Sequence, residues 1–212
     1  MPEKTWADLQ TVVEERIQFG AGALLEFNPE YWKALLESSR SQRVVEMTYY
    51  TASSDSLSTR KFDAYLMYVY RGTNPYTVGY CHRRKQILVF RVDRIRALRV
   101  TDDYFERDPE FHPQQYFERI FQIEAGGEPQ NVSIRFRRKA APFIRERTWH
   151  PSQLIEEHSD GSLTLHMQVS GLAEVRRWVL GYGSEARVEQ PPALVEMMRE
   201  EVAKLSQQYE NE

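Results

Sequence analysis

Tyr76-Thr-Val-Gly-Tyr-Cys-His-Arg-Arg-Lys-Gln-Ile-Leu-Val-Phe-Arg-Val-Asp-Arg-Ile95 reads as two β-like runs joined by a polar, basic turn. Between His82 and Arg99 the chain supplies Arg83, Arg84, Lys85, Arg91, Arg94, Arg96 and Arg99 against the single acid Asp93. The whole 212-residue chain carries a net charge of -3, so its overall charge hides this local excess. A concentrated positive field favours phosphates or other anions. The same pattern also fits a solvated strand face that keeps a sheet edge from aggregating.

On the N-terminal side, Val44-Val-Glu-Met-Thr-Tyr-Tyr50 and Phe62 to Tyr70 are further β-branched or aromatic runs. The Ser/Thr/Asp-rich stretch Thr51 to Thr59 reads as the loop between them, and Arg71-Gly-Thr-Asn-Pro75 as the next turn. With a last run from Ile95 to Val100, these short strands predict a small, strongly bent antiparallel barrel. Two helices precede it. Thr5 and Asp8 resemble a capping box ahead of Trp6, Leu9, Val13 and Ile17, and Asn28-Pro29 supplies an N-cap with proline at the first helical position of a helix ending near Ser41.

Beyond the barrel, Thr101 to Glu128 is acidic and turn-rich but holds Phe105, Phe111, Tyr116, Phe117, Ile120 and Phe121. These predict a short docked helix around Pro113 to Phe121 within a connector. Then Val132 to Phe136 alternates as a strand, Ala140 to Arg147 fits a helix, and Asp160-Gly161 marks a hairpin between Leu154-Ile-Glu-Glu-His and Leu163 to Val169. Ser170 is placed to cap a helix bearing Leu172, Val175 and Val179, ended by Gly181. A strand at Ala186 to Glu189 and a Pro191-Pro192-initiated helix with Leu194, Met198, Val202, Leu205 and Tyr209 on one stripe complete the chain. The order β-α-β-β-α-β-α predicts an α+β sandwich of the split-βαβ, ferredoxin-like type. The expected fold class is therefore α+β, with a helical segment at 1–42, a barrel at 43–104, a connector at 105–128 and an α+β domain at 129–212.

Phe62-Asp-Ala-Tyr-Leu-Met-Tyr, Pro75-Tyr-Thr-Val-Gly-Tyr-Cys-His-Arg-Arg and Phe90-Arg-Val-Asp-Arg-Ile95 resemble the WYL domain of bacterial transcriptional regulators. The Phe-Arg-x-Asp-Arg-Ile signature is intact. The eponymous Trp-Tyr-Leu stands here as Pro75-Tyr76-Thr77, a usual proline is Ala64 and a usual arginine is Leu88. Gly171-Leu-Ala-Glu-Val-Arg-Arg-Trp-Val-Leu-Gly-Tyr-Gly183 is similar to the C-terminal extension that commonly follows WYL domains. The resemblance implies an Sm-like or SH3-like barrel that senses nucleic acid or nucleotide-like signals, and it also favours a homodimer. Such regulators usually carry a winged helix-turn-helix ahead of the WYL domain, and the two candidate helices before Val44 are too few to supply one. The chain is therefore expected to be the sensor part of a longer regulator or a stand-alone interaction module that regulates a protein partner, with duplex DNA reached only through a helix-turn-helix not found here.

Composition is that of an ordinary globular protein, 41% hydrophobic and 28% charged. No apolar run approaches the roughly 20 residues that span a bilayer, and no signal-peptide pattern opens the chain. A cytoplasmic location is the expectation. The lone Cys81 excludes an internal disulfide and reads as buried packing. The five histidines show no His-Glu-x-x-His spacing, so no metal is expected. Gly181-Tyr-Gly183 follows a helix and lacks a third glycine, Ser170-Gly171 lacks a nucleophile-elbow context, and the adjacent Glu156 and Glu157 point to opposite faces of a strand. No catalytic residue and no cofactor are expected.

Binding has firmer chemical grounds. Arginine pairs bidentately with phosphate oxygens and stacks on bases. Tyr76, Tyr80 and His82 alternate along one strand face, with Arg91 and Arg94 on the next strand and its end. Small barrels bind oligonucleotides through such combinations. Tyr76, His82, Arg84, Arg91 and Arg94 are the candidate contacts for single-stranded nucleic acid or a nucleotide ligand. Tyr80 fits the core as well as a ligand contact, Lys85 reads as a solvated turn tip, and Asp93 pairs with a nearby arginine, Arg94 among them, or caps the turn. Arg135, Arg137 and Arg138 lead a second basic patch with Lys139, Arg145 and Arg147.

Overall fold

A computed structural model of the chain describes residues 26–70, 74–121, 123 and 127–210. The first expected helix, Thr5 to Ile17, and most of the turn Arg71 to Pro75 lie outside them. The architecture is mixed α+β with two antiparallel sheets. The chain divides into two compact units, residues 1–78 with 90–103 and residues 79–89 with 104–212. Among the described residues no helix is long and apolar enough to cross a membrane.

Helix α1 (Pro29–Ser41) starts as its sequence dictates: the Asn28 side chain accepts a 2.9 Å bond from the Glu30 N–H, Pro29 stands at the first turn, and Gln42 closes the helix in the left-handed conformation. A five-stranded sheet follows, with β1 (Arg43–Thr51), β2 (Ser56–Tyr70), β3 (Asn74–Cys81), β4 (Gln86–Arg91) and β5 (Ile95–Tyr104) in the order β4-β3-β2-β1-β5. Strand β2 begins at Ser56, which corrects the loop expected up to Thr59. Residues 56–61 extend the antiparallel ladder with β1, Thr48 opposite Thr59 and Tyr50 opposite Leu57. This part of the ribbon is largely exposed, so its side chains are polar and mimic a loop composition. In the first unit Leu35, Val45, Met47, Phe62, Ala64, Val78 and Val92 are fully buried.

In the second unit, α2 (Pro113–Glu118) is the short helix expected in the connector. The chain then runs beside Ser170, whose N–H donates to the Arg119 carbonyl at 2.8 Å, and Phe121 enters the core. Strands β6 (Gln130–Phe136), β7 (Leu154–Glu157), β8 (Leu163–Val169) and β9 (Ala186–Gln190) form the second sheet in the order β7-β8-β6-β9. Helices α3 (Ala141–Arg145), α4 (Leu172–Leu180) and α5 (Pro192–Glu210) complete the β-α-β-β-α-β-α order. Alternation turns Val132, Ile134 and Phe136 of β6 into the core, where they meet Leu163, Leu165 and Met167 of β8 and Val175 and Val179 of α4. Trp178 links this core to its edge, with ring centroids 4.8 Å from Trp149 and 5.0 Å from Phe121.

One local expectation is corrected here. Ser170 does not cap α4: its hydroxyl donates to the Arg119 carbonyl at 2.9 Å, and Gly171 holds the N-cap with φ +77°. Along the expected apolar stripe of α5, Leu194 is buried while Val202, Leu205 and Tyr209 are exposed.

His150 is 2% exposed, and its Nδ1 accepts the Ser152 N–H at 3.1 Å, so the neutral ring carries its proton on Nε2. Burial holds the imidazole below its ordinary pKa of 6.5, against the opposing pull of the Glu118 and Ile120 backbone. The unfolded chain binds this proton more readily, so the contribution to stability is full above 6.5 and is lost as pH falls from there through the lower value of the folded state. Melting temperature should therefore drop on acidification from about pH 7.5 to about 5.5, and His150→Asn should flatten part of that drop. An unchanged slope in the variant would place the dependence elsewhere.

Candidate ligand-binding site

The Phe90-Arg-Val-Asp-Arg-Ile95 signature ends β4, makes one 3-10 turn at Val92–Arg94 and opens β5. Phe90, Val92 and Ile95 are the buried anchors, which leaves Arg91, Asp93 and Arg94 half-buried on the other side. Arg91 donates from Nε and Nη2 to the two carboxylate oxygens of Asp93, each at 2.9 Å. The partner of Asp93 is thus Arg91 and not Arg94. The bond to Asp93 raises the Arg91 pKa above its already high ordinary value, so this guanidinium is permanently charged but locally neutralised.

The backbone N–H of Arg91 donates to the Tyr49 hydroxyl at 3.2 Å. Burial pushes the Tyr49 pKa up, against the opposing influence of this N–H and of the Arg94 guanidinium beside the ring oxygen. Tyr49 and Phe90 meet edge to face at 4.8 Å. Above both rings lies Arg60, 5.4 Å from the Tyr49 centroid and 5.0 Å from that of Phe90. One of its terminal nitrogens bonds the Ser58 hydroxyl, while its Nε is buried with no partner among the described residues.

Tyr76 is half-buried on β3, its ring 6.4 Å from Tyr70, and its hydroxyl contributes to the field around Arg91. The first unit therefore brings together Tyr76, Arg91 and Arg94 of the expected contacts and adds Tyr49, Arg60 and Phe90. His82 and Arg84 belong to the second unit, on the exposed turn 82–85, where Lys85 adopts φ +54° and its N–H donates to the Cys81 carbonyl at 2.7 Å. The His82 ring packs 5.4 Å from Tyr80.

Arg60 escaped the sequence reading because it fell between the expected loop, which ended at Thr59, and the expected strand, which began at Phe62. The signal was present: counting back by two from the buried Phe62 places Arg60 on the same strand face, an unusual position for a cation.

The second basic patch is also partly engaged. Arg145 binds Glu157 through two 2.7 Å bonds, Arg147 lies over the Trp149 ring, and Arg135 reaches Asp160 at 3.2 Å and Ser162 at 3.1 Å. Arg137 and Arg138 are exposed.

Known domain families fit both units. The WYL domain matches residues 30–100 and the WCX domain matches residues 128–206. The chain belongs to the WYL domain-containing proteins and carries a WCX domain C-terminal to the WYL domain. Among solved structures it is similar to proteasome accessory factor B/C (PafBC) of Arthrobacter aurescens, at 18% identity and a TM-score of 0.37 over 84% of this chain and 28% of that one. It is also similar to a CRISPR Cas-related protein, at 12% identity and a TM-score of 0.57 over 86% of this chain and 51% of that one. The chain thus spans 28% of the first and about half, 51%, of the second, and the second likeness shows the fold. No curated protein sequence matches it.

Replacing Asp93 by asparagine leaves the Arg91 guanidinium half-buried without its counter-charge. The variant should lose about 1.5–3 kcal/mol of stability in urea unfolding, the range for hydrogen bonds to charged groups. It should also bind anions more tightly through the freed guanidinium. A fully stable variant would mean that water replaces the carboxylate without loss.

Proposed function

We propose that this chain is the ligand-sensing part of a WYL-type transcriptional regulator that takes single-stranded nucleic acid or a nucleotide-like anion on its WYL domain, without catalysis, cofactor or metal. The observation that carries this reading is Arg60: a half-buried cation stacked over Tyr49 and Phe90 whose inaccessible Nε has no partner among the described residues. Buried donors without partners are rare and expensive, and an anionic ligand would satisfy this one. Arg94 adds a second cation beside Tyr49, and Tyr76 offers a half-buried ring for base stacking. In this reading Arg91 is chiefly structural.

The finer fold belongs to the same proposal: an Sm-like or SH3-like first domain, and a ferredoxin-like second one, supported by the strand order β7-β8-β6-β9. A cytoplasmic location follows from the regulator role. Contact with duplex DNA would fall to a helix-turn-helix, which the described residues do not contain.

Affinity for a fluorescent single-stranded oligonucleotide should fall with salt, by a log-log slope of about -0.7 per neutralised phosphate. Arg60→Ala and Arg94→Ala should flatten that slope, and Arg91→Ala should flatten it less because Asp93 already neutralises the charge. Tyr76→Ala should cost about 1–3 kcal/mol with the slope retained, since stacking releases no counterions. A panel of oligonucleotides and cyclic nucleotides that fails to bind at low salt would transfer the function to the alternative, an interaction module acting on a protein partner.

The homodimer is supported by Val202, Leu205 and Tyr209, which stand 55%, 40% and 77% exposed along one stripe of α5. Light scattering at tens of micromolar should give twice the chain mass, and Val202→Glu with Leu205→Glu should return the monomer. A monomeric parent protein would remove this part of the reading.

A further inference from the structure

The second unit contains an arginine cluster that the WYL-domain reading does not use. On β6, alternation that buries Ile134 and Phe136 turns Arg135 and Arg137 to the opposite face. The antiparallel register with β9 sets Arg135 directly opposite Arg187. Like charges directly opposite on neighbouring strands repel. The fold tolerates that juxtaposition only with counter-charge nearby, and the protein supplies part of it. Asp160 accepts from Arg135 at 3.2 Å and from the Ser162 hydroxyl at 2.5 Å, and its bonds to Ser162 hold its pKa below the ordinary value. Arg137, Arg138 and Arg187 have no ion pair to a described residue.

These groups surround a cleft of about 460 Å³, with four arginines against the carboxylates of Asp160 and Glu189. The hairpin turn forms one wall. At Gly161, with φ +79°, a Cβ would come within 3.2 Å of the Arg138 side chain, so glycine lets the arginine stem lie flat against the turn. Volumes of roughly 300–1,000 Å³ are those of small-molecule sites. Guanidinium forks with one hydroxyl among them recognise tetrahedral oxyanions, phosphate above all, while the lack of an apolar wall among the lining residues disfavours uncharged ligands.

We propose that this cleft between β6, β9 and the β7–β8 turn binds the phosphate group of a small phosphorylated molecule of about mononucleotide size. Arg187 and Arg137 are the contacts, Arg138 closes the wall, and Arg135, held by Asp160 and Ser162, fixes the geometry. The site stands on residues other than those proposed for the WYL domain.

Calorimetric titration of the full chain at low ionic strength with inorganic phosphate, pyrophosphate and adenosine monophosphate tests it. Saturable binding of at least one probe is expected, weakened tenfold or more by Arg187→Ala and by Arg137→Ala, and retained at this cleft when Arg60→Ala removes any separate binding to the WYL domain. Both substitutions are at exposed positions, and circular dichroism checks that the fold survives them. Equal affinity for phosphate and the nucleotide would assign recognition to the phosphate alone, and tighter nucleotide binding would extend it to the nucleoside; both support the site. Absence of binding by all three probes at millimolar concentration would overturn it. So would binding that Arg60→Ala abolishes and Arg187→Ala leaves intact, which would return the ligand to the WYL domain. An oligonucleotide whose binding depends on Arg187 while the small probes do nothing would also overturn it, in favour of a nucleic-acid surface.

Discussion

The bidentate bond between Arg91 and Asp93 is the constraint around which the WYL domain is organised. Two parallel N–H···O bonds over two residues of sequence fix the chain in a 3-10 turn at the point where β4 must stop and β5 begin. Once that turn is set, Val92 and Ile95 point into the core, the Arg91 N–H reaches the Tyr49 hydroxyl, and Arg94 is delivered to the same hydroxyl from the other side. A lysine at 91 could carry the charge but not the fork, so the geometry of the turn, and with it the placing of Tyr49, would be lost.

Such an arrangement divides labour among arginines that look alike in sequence. Arg91 spends its hydrogen-bonding capacity on the fold, and Arg60 and Arg94 are left facing aromatic groups. The WCX domain repeats the division with different residues: Arg135 and Arg145 are tied to Asp160 and Glu157, and Arg137, Arg138 and Arg187 have no ion pair to a described residue. A count of cations in a stretch of sequence therefore overstates the charge available to a ligand. What matters is which cations have a carboxylate fixed beside them by the local turn.

Much of the fold was legible because its punctuation is local. Asn28-Pro29 starts a helix through one side-chain bond and one fixed φ, and Asp160-Gly161 turns a hairpin because glycine accepts φ +79° there. The short helix in the connector and the order of elements after Gln130 follow from the same kind of signal. The start of β2 was not legible, since residues 56–61 are held by a ladder to β1 whose register no local composition encodes. Ser170 was misread for a related reason. Its hydroxyl is taken by the Arg119 carbonyl, 51 residues away in sequence, and a long-range acceptor outcompeted the local cap.

The same reasoning explains why the candidate site was only half visible. Phe-Arg-x-Asp-Arg-Ile announces itself as a compact motif, and Arg91 and Arg94 were found through it. Arg60 lies 31 positions before Arg91 and joins the group only because β1 and β2 pair so that Tyr49 and Arg60 fall on the same side of the ladder. Its chemistry is decided by that pairing: an arginine on the opposite face of the ribbon would be a solubilising charge. Placed over Tyr49 and Phe90 it is a half-buried cation whose inaccessible Nε has no partner among the described residues. The cost of holding it there falls on the stability of the domain, and that cost is the ground on which the proposed anion site rests.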